Sequence, residues 1–293
     1  MSENGTRTAR FEAMRPQLGA LAYRMLGSMN DAEDAVQEAW IRLQGADAEA
    51  VQNVDAWLTT VVARICLNML RGRRVRRGEA LVAQIPDPIV DPPGDFDPEH
   101  QALLAEAVGL ALYVVLETLR PPERLAFVLH DVFEVPFDEI AAIVETTPEG
   151  ARKLASRARR RIRDANPAPD GDLAAQREVV DAFFAAGRAG DFDRLVGVLH
   201  PDVVLRGDFG DVQTGVRTTR GATAVARLAR SYGGPERAVR PATINGAAGA
   251  VIVVGGRPVS IMGFVVIGGG IVSIDVLADP GRIARLDLSA VSV

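Results

Sequence analysis

The sequence predicts two all-α helical domains, the second a helix-turn-helix, followed by an α+β domain with a curved sheet. Apolar residues recur at helical spacing through the first 165 residues, and a segment rich in Pro and Asp divides that half. Beyond residue 172, one amphipathic helix precedes β-rich runs that glycines separate. The predicted bounds are 7–80 and 99–165 for the helical domains, 81–98 for the acidic linker and 173–288 for the α+β domain.

The composition is that of a folded protein, with 48% hydrophobic and 24% charged residues, which excludes disordered, collagen-like and disulfide-dense classes. Cys66 is the one cysteine, and the first ten residues are polar and unlike a signal peptide. We therefore expect a cytoplasmic protein with no membrane segment. The net charge of −5 argues weakly against nucleic-acid binding, but the basic residues are clustered.

The first basic cluster follows a helix that we predict from about Val54. Five arginines in seven residues exceed what capping a helix C-terminus needs, so we interpret them as phosphate contacts, with a purely structural role as the alternative. They are Arg71, Arg73, Arg74, Arg76 and Arg77.

The second basic cluster lies in a predicted helix-turn-helix. A short helix at 137–144 and a turn with a Thr cap precede a helix at 149–163, where small core residues permit a close helix crossing. The N-terminal half of the second helix would face the major groove, and later arginines such as Arg161 would contact phosphate only. The alternative is a solvated basic helix in a bundle. The predicted DNA-contacting residues are Thr147, Arg152, Lys153, Ser156, Arg157 and Arg160.

A third helix, with a predicted capping box from Asn30 to Glu33, has an apolar stripe on one side and a polar face on the other. That face carries Glu33, Asp34, Gln37 and Glu38. It is either a solvated acidic face or a docking face for a basic partner helix.

These segments together resemble bacterial sigma factors of the extracytoplasmic-function (ECF) group. The resemblance is carried by Asp31–Leu43, Asp55–Leu58, Leu119–Arg124 and Phe137–Arg163. It implies that Glu33, Asp34, Gln37, Glu38 and Trp40 lie on the helix that meets core RNA polymerase. It also implies that the helix Trp57–Arg71, which includes Arg64, captures an unstacked base of the minus-ten element together with the loop before it. The helix-turn-helix would read the minus-thirty-five element.

The chain departs from that family at two places. Arg64 stands where many relatives have Asn, and Glu145-Thr146 stands where relatives often place Gly. The linker would thread through polymerase channels in the family, and the alternative is a solubilising spacer.

The last segment resembles the SnoaL-like, ketosteroid-isomerase-like cone fold that follows the sigma domains in one subgroup. Two degenerate subgroup motifs fall at Asp208, Gly210 and Asp211 and at Asp279, Pro280 and Arg282. The resemblance implies regulation in cis, with no separate anti-sigma factor required.

We expect no enzyme, cofactor or metal in this last domain, since no metal-ligand spacing or nucleophile triad is visible. Acid–base chemistry could use only His200, Asp202, Asp208, Asp211 and Asp275, and His200 reads better as a turn residue. Sensing of an unidentified small ligand is a second alternative.

The sequence thus predicts a sigma factor with two partners, core RNA polymerase and promoter DNA. Two rival interpretations remain. One is a polymerase-independent helix-turn-helix regulator with a ligand-sensing C-terminal domain, and the other is an enzyme whose helical half is only a targeting module.

Overall fold

The chain divides into a helical unit and a sheet unit in the computed structural model, which describes residues 3–46, 53–76, 85–94, 116, 119–165, 171–210, 216–231, 234–289 and 291. The helical unit holds the described residues up to 76 and from 116 to 165. The sheet unit holds residues 85–94 and those from 171 onward. Within the described residues, no helix is long and apolar enough to cross a membrane.

Six α-helices and a π-helical turn are described in the helical unit. They are α1 (Glu3–Leu26), α2 (Met29–Gly45), α3 (Val54–Arg76), α4 (Pro121–Phe127), the π-helical turn (Val128–Val132), α5 (Phe137–Val144) and α6 (Pro148–Ala165). Helix α2 begins two residues earlier than the predicted capping box implies, because Ser28 is its N-cap and accepts a hydrogen bond from the Asp31 backbone N–H at 3.3 Å. The predicted capping box at Asn30 is therefore wrong.

The described residues of the sheet unit form seven strands in the order β1-β4-β5-β6-β7-β2-β3. The strands are β1 (Val90–Asp91), β2 (Leu199–Asp208), β3 (Arg217–Arg220), β4 (Arg237–Ile244), β5 (Ala247–Val254), β6 (Arg257–Ile267) and β7 (Gly270–Leu277). Strands β4 to β7 form an antiparallel meander, whereas β2 pairs parallel with β7.

Four helices accompany these strands in the part of the sheet unit that the structure describes, namely α7 (Leu173–Ala189), α8 (Phe192–Val198), α9 (Ala222–Ser231) and α10 (Pro280–Ile283). The first three bury their apolar faces against one face of the sheet, where Phe183, Leu205, Phe264 and Ile274 lie in a common core. A second core, around Ile244 and Ile261, includes Val90 of strand β1.

The acidic linker is the largest departure from the predicted domain organisation. Its described residues belong to the sheet unit, and β1 pairs antiparallel with β4 through Val90 opposite Ile244 and Asp91 opposite Thr243. Residues 85–91 are all buried, including both aspartates of that stretch. A solubilising spacer would be exposed, so that interpretation is wrong for these residues.

Candidate functional site

The polar face of α2 is exposed over its full length. Its solvent-facing side chains are Glu33, Asp34, Gln37, Glu38 and Arg42. Trp40 is half-buried, and its ring centroid lies 4.7 Å from that of Phe11. This residue therefore packs α2 against α1.

Sequence reasoning missed Ile41 on the same face, where its side chain is 60% exposed. It lies three residues beyond Glu38 and four beyond Gln37, and this spacing was the available signal. The face is therefore acidic with one apolar residue at its C-terminal end.

Helix α3 continues into the first basic cluster, where Arg64 and Arg71 are exposed. An Arg64 Nη donates to the backbone oxygen of Ala142 in α5 at 3.4 Å. The side chains of Arg73, Arg74 and Arg76, and Arg77 as a whole, lie outside the described residues.

The turn of the helix-turn-helix is closely built. Glu145 ends α5 in the left-handed region, with φ 60° and ψ 52°. Thr147 then caps α6 by accepting a hydrogen bond from the Gly150 N–H at 3.1 Å. A Cβ on Gly150 would lie 2.3 Å from the Thr146 hydroxyl oxygen, so only glycine fits without movement there.

Helix α6 buries Ala151, Ala155 and Ala158 and exposes a continuous polar face. The exposed side chains on that face include five of the predicted DNA contacts, which are Arg152, Lys153, Ser156, Arg157 and Arg160. Lys153 forms an ion pair with Glu149 at 2.8 Å, one turn earlier on the same helix.

Two later arginines of α6 are held by acids of the same unit. The Arg159 Nε donates to Asp131 at 2.6 Å, and an Arg161 Nη donates to Glu123 at 3.0 Å. The Glu123 side chain is only 3% exposed, so Arg161 neutralises a buried carboxylate. Arg161 therefore has a partner within the protein, and its contact with phosphate stays a prediction.

The two helical halves of the unit contact each other. Arg124, 3% exposed, donates from Nη1 to the backbone oxygen of Met25 near the end of α1 at 2.7 Å. The Arg24 guanidinium carbon lies 5.4 Å from the ring centroid of Phe133. Cations of each half thus stabilise the packing of α1 and α3 against the helix-turn-helix half.

In the sheet unit, the two degenerate motifs converge. Arg282 donates from Nη1 to Asp208 at 2.7 Å, from Nε to Asp87 at 2.8 Å, and from Nη2 to the backbone oxygen of Ile85. Because Asp87 and Ile85 belong to the linker, the structure joins the linker and both motifs at one guanidinium. We call this contact the Arg282 clamp.

The remaining motif residues shape the clamp. Asp279 caps α10 by accepting from the backbone N–H groups of Gly281 and Arg282, and Pro280 is the first residue of that helix. Gly210 has φ +77°, and a Cβ there would lie 2.9 Å from the Asp279 carboxyl carbon. Asp211 lies outside the described residues.

A second contact holds the linker at the sheet edge, and sequence reasoning missed it. The Oδ1 of the buried Asn245 accepts a hydrogen bond from the Ile89 backbone N–H at 2.7 Å. The backbone N–H of Asn245 donates to the Ile89 backbone oxygen at 2.9 Å. The Asn245-Gly246 pair was the available signal, because Asn-Gly marks a tight hairpin turn.

Three of the acid–base candidates of this domain, His200, Asp208 and Asp275, are engaged in structural contacts. Arg206 donates to Asp275 through Nε at 2.6 Å. Burial raises the pKa of the Asp275 carboxyl above its ordinary value, and the nearby Arg206 offsets only part of that rise. His200 is exposed and accepts from the Asp202 N–H at 3.2 Å, as suits a turn residue.

The core between sheet and helices contains closely packed aromatic rings. The ring centroids of Phe183, Phe184 and Phe264 lie 5.4–5.7 Å apart. Among the described residues, no three His, Cys, Asp or Glu side chains come together as a metal site requires.

Comparison with known proteins agrees with this arrangement. Residues 10–76 match the Sigma-70 region 2 family, and residues 109–162 match the Sigma-70, region 4 family. The ECF RNA polymerase sigma factor SigJ of Mycobacterium tuberculosis is 44% identical over 247 residues, which are 82% of this chain and 79% of that protein. This chain belongs to the ECF RNA polymerase sigma factors.

Other ECF sigma factors support this assignment. The probable ECF RNA polymerase sigma factor SigI of M. tuberculosis is 36% identical over 214 residues, covering 69% of this chain and 70% of that protein. The crystal structure of M. tuberculosis SigJ superposes with a TM-score of 0.73 and 36% identity, covering 96% of this chain and 99% of that chain. The C-terminal domain of this ECF factor has the expected SnoaL-like α+β fold, and the relatives do not favour the polymerase-independent alternative.

Proposed function

We propose that this ECF sigma factor binds core RNA polymerase through the exposed face of α2. The face combines four acidic or amide side chains with the exposed Ile41. Charges at such a face steer a basic partner, and an apolar side chain that becomes buried contributes affinity. Trp40 would contribute indirectly, because its contact with Phe11 holds α2 in place.

We infer that α3 and α6 read promoter DNA. Arg64, Arg71 and the arginines after them would hold the melted minus-ten strand, because single strands are bound by cations along a groove. The exposed face of α6 would enter the major groove at the minus-thirty-five element, with Thr147 at the end nearest the bases. This assignment is supported by the exposure of the five polar side chains of α6 on one face.

We propose further that the C-terminal domain inhibits the sigma factor in cis by holding the linker. The observation that carries this proposal is the Arg282 clamp, in which the Arg282 side chain is 10% exposed and those of Asp87 and Asp208 are 10% and 7% exposed. A linker paired as β1 in the sheet is not free to thread a polymerase channel. Release of the clamp would therefore be required for full activity.

The test is transcription by core polymerase reconstituted with the purified full-length chain. Asp87→Ala removes one clamp carboxylate and leaves Arg282 paired with Asp208, so the domain should fold. Arg282→Ala removes the clamp outright. We expect both variants to raise transcript yield by at least about fivefold, since loss of a buried charged hydrogen bond costs about 1–3 kcal/mol.

Arg285→Ala is the matched control, because Arg285 is exposed three residues beyond Arg282. It should transcribe like the unaltered chain. Equal yields from all four proteins would exclude regulation through the clamp. Lower yields from folded Asp87→Ala and Arg282→Ala proteins would mean that the captured linker assists transcription.

The same reconstitution contains no other regulator, so it also tests whether the restraint needs a separate anti-sigma factor. We infer that it does not, because the clamp lies within the chain. We further infer that the domain acts through contacts with its own linker rather than by catalysis or ligand sensing, which the packed rings of Phe183, Phe184 and Phe264 support. Its place of action would be the cytoplasm, with the polymerase.

A further inference from the structure

Phe137, the first residue of α5, is half-buried and has two other side chains stacked on it. The His130 ring centroid lies 3.8 Å from that of Phe137, with 32° between the ring planes. The Arg152 guanidinium carbon lies over the Phe137 ring, 5.5 Å from its centroid. An aromatic residue of the first helix of the helix-turn-helix thus contacts a cation of the second.

His130 is itself fixed. It lies in the π-helical turn, and its Nδ1 is 3.1 Å from the Val135 backbone oxygen. Since a carbonyl oxygen can only accept, this nitrogen carries the proton and donates it, which ties the ring to the loop that leads into Phe137. The hydrogen bond to Val135 therefore fixes the His130 end of the stack to the backbone, and Arg152 forms the other end.

The π-helical turn also contacts α6 beyond its midpoint. Asp131, the residue after His130, accepts from the Arg159 Nε at 2.6 Å. The π-helical turn is thus linked to α6 at two places. Near the start of α6 the link runs from His130 through Phe137 to Arg152, and about two turns later Asp131 pairs with Arg159 directly. Such turns are rare and occur frequently at functional sites.

Contact with a ring restricts a guanidinium before DNA arrives. Arginine has a flexible side chain that loses rotamer freedom when it binds a base edge, and restricting it beforehand lowers that loss. A cation over a ring face is also attracted to the ring electrostatically. Arg157 is exposed one to two turns further along α6 and makes no ring contact among the described residues, so it is the natural comparison.

We propose that Phe137, held by His130, is a positioning residue for Arg152 and thereby sets base preference within the minus-thirty-five element. Phe137 acts through Arg152 and need not touch DNA. The proposal rests on the proposed recognition of that element by α6. It attributes the strength of base preference at one position to Phe137, a residue outside α6.

The test uses the full-length chain with core polymerase and a promoter library randomised across the minus-thirty-five element. The variants are Phe137→Leu, Phe137→Tyr, Arg152→Ala, Arg157→Ala and the double variants of Phe137→Leu with each alanine. We expect Phe137→Leu to weaken binding to preferred sequences about two- to fivefold and to flatten base preference only where Arg152→Ala flattens it. Phe137→Tyr keeps the ring and should retain the preference.

The double variants separate positioning from packing. Phe137→Leu should add nothing to Arg152→Ala, whereas its effect should add fully to that of Arg157→Ala. A uniform loss of binding at every base, with full additivity in both doubles, would show a packing role and overturn the proposal. Stronger binding by Phe137→Leu would also overturn it, because the ring would then hold Arg152 away from DNA.

Failure of the underlying function looks different. If Phe137→Leu leaves the preference intact while Arg152→Ala flattens it, positioning is wrong and reading by α6 stands. If Arg152→Ala changes no base preference, Arg152 does not read the element and both proposals fail for this residue.

Discussion

Glu145 carries the backbone strain of the helix-turn-helix turn. Its φ of 60° is left-handed, and its side chain is exposed, so no buried contact offsets the steric cost of its Cβ. Glu145→Gly should therefore stabilise the chain by about 0.5–1 kcal/mol, the relief of Cβ strain exceeding the entropy that glycine adds to the unfolded chain. Thermal unfolding should show a midpoint higher by about 1–3 °C.

Glu145→Ala is the control, since it removes the carboxylate but keeps the Cβ. It should leave the midpoint unchanged or lower it. An equal rise for the alanine and glycine variants would mean that the charge, rather than the backbone, limits stability at this turn.

At the same scale, periodicity predicted which residues of α6 face solvent but not what they bind. Alanines at three- and four-residue spacing fixed the buried side, and Arg152 and Arg157 are exposed as that spacing requires. The partner of Arg161 is Glu123, 38 residues away in the chain. Such a pairing depends on tertiary packing, which local spacing does not encode.

Among the elements, the strands with glycine turns were predicted closely. The sequence predicts strand-like runs at 248–254, 258–267 and 271–277, and β5, β6 and β7 begin and end within one residue of them. The agreement arises because Gly255-Gly256 and Gly268-Gly269 have the positive φ values of tight turns. Strand β4 was missed, since Pro241 and two arginines interrupt its alternation. Strand β1 is two residues in a proline-rich run, and only its pairing with β4 makes it a strand.

The capture of β1 yields a prediction at this scale. Asn245 has φ 48° and is followed by Gly246 with φ 80°, so Asn245→Gly preserves the turn while removing the side-chain acceptor of the Ile89 N–H. A buried donor left without its partner costs about 1–3 kcal/mol. We expect faster amide hydrogen exchange in residues 85–91, with unchanged exchange across β6 and β7 as the internal control.

Slower or unchanged exchange in residues 85–91 would mean that the backbone pairing of β1 and the Arg282 clamp hold the linker without Asn245. Faster exchange throughout the sheet would mean that Asn245 stabilises the hairpin itself rather than the captured linker.

For the whole molecule, the packing of the two helical halves conflicts with promoter geometry. Elements named minus-ten and minus-thirty-five lie about 25 base pairs apart, or about 85 Å at ~3.4 Å per base pair. A compact helical unit of this size has a radius of gyration of only about 14 Å. The contacts of Arg64 with Ala142 and of Arg124 with Met25 must therefore break before both elements can be read together.

Fluorescence energy transfer measures this opening. The dyes would be carried by cysteines that replace Asn68 and Glu139. Both residues are exposed, and each lies within about one helical turn of the Arg64–Ala142 contact. The native Cys66 is fully buried and so protected from labelling. Transfer should be high in the free chain and fall on assembly with polymerase and promoter. A pair at Gln17 and Asn68, within the first half alone, should show no change. Undiminished transfer between positions 68 and 139 in an active promoter complex would mean that α3 and α5 stay together during initiation. The packing of the two helical halves would then belong to the active conformation and would not have to break.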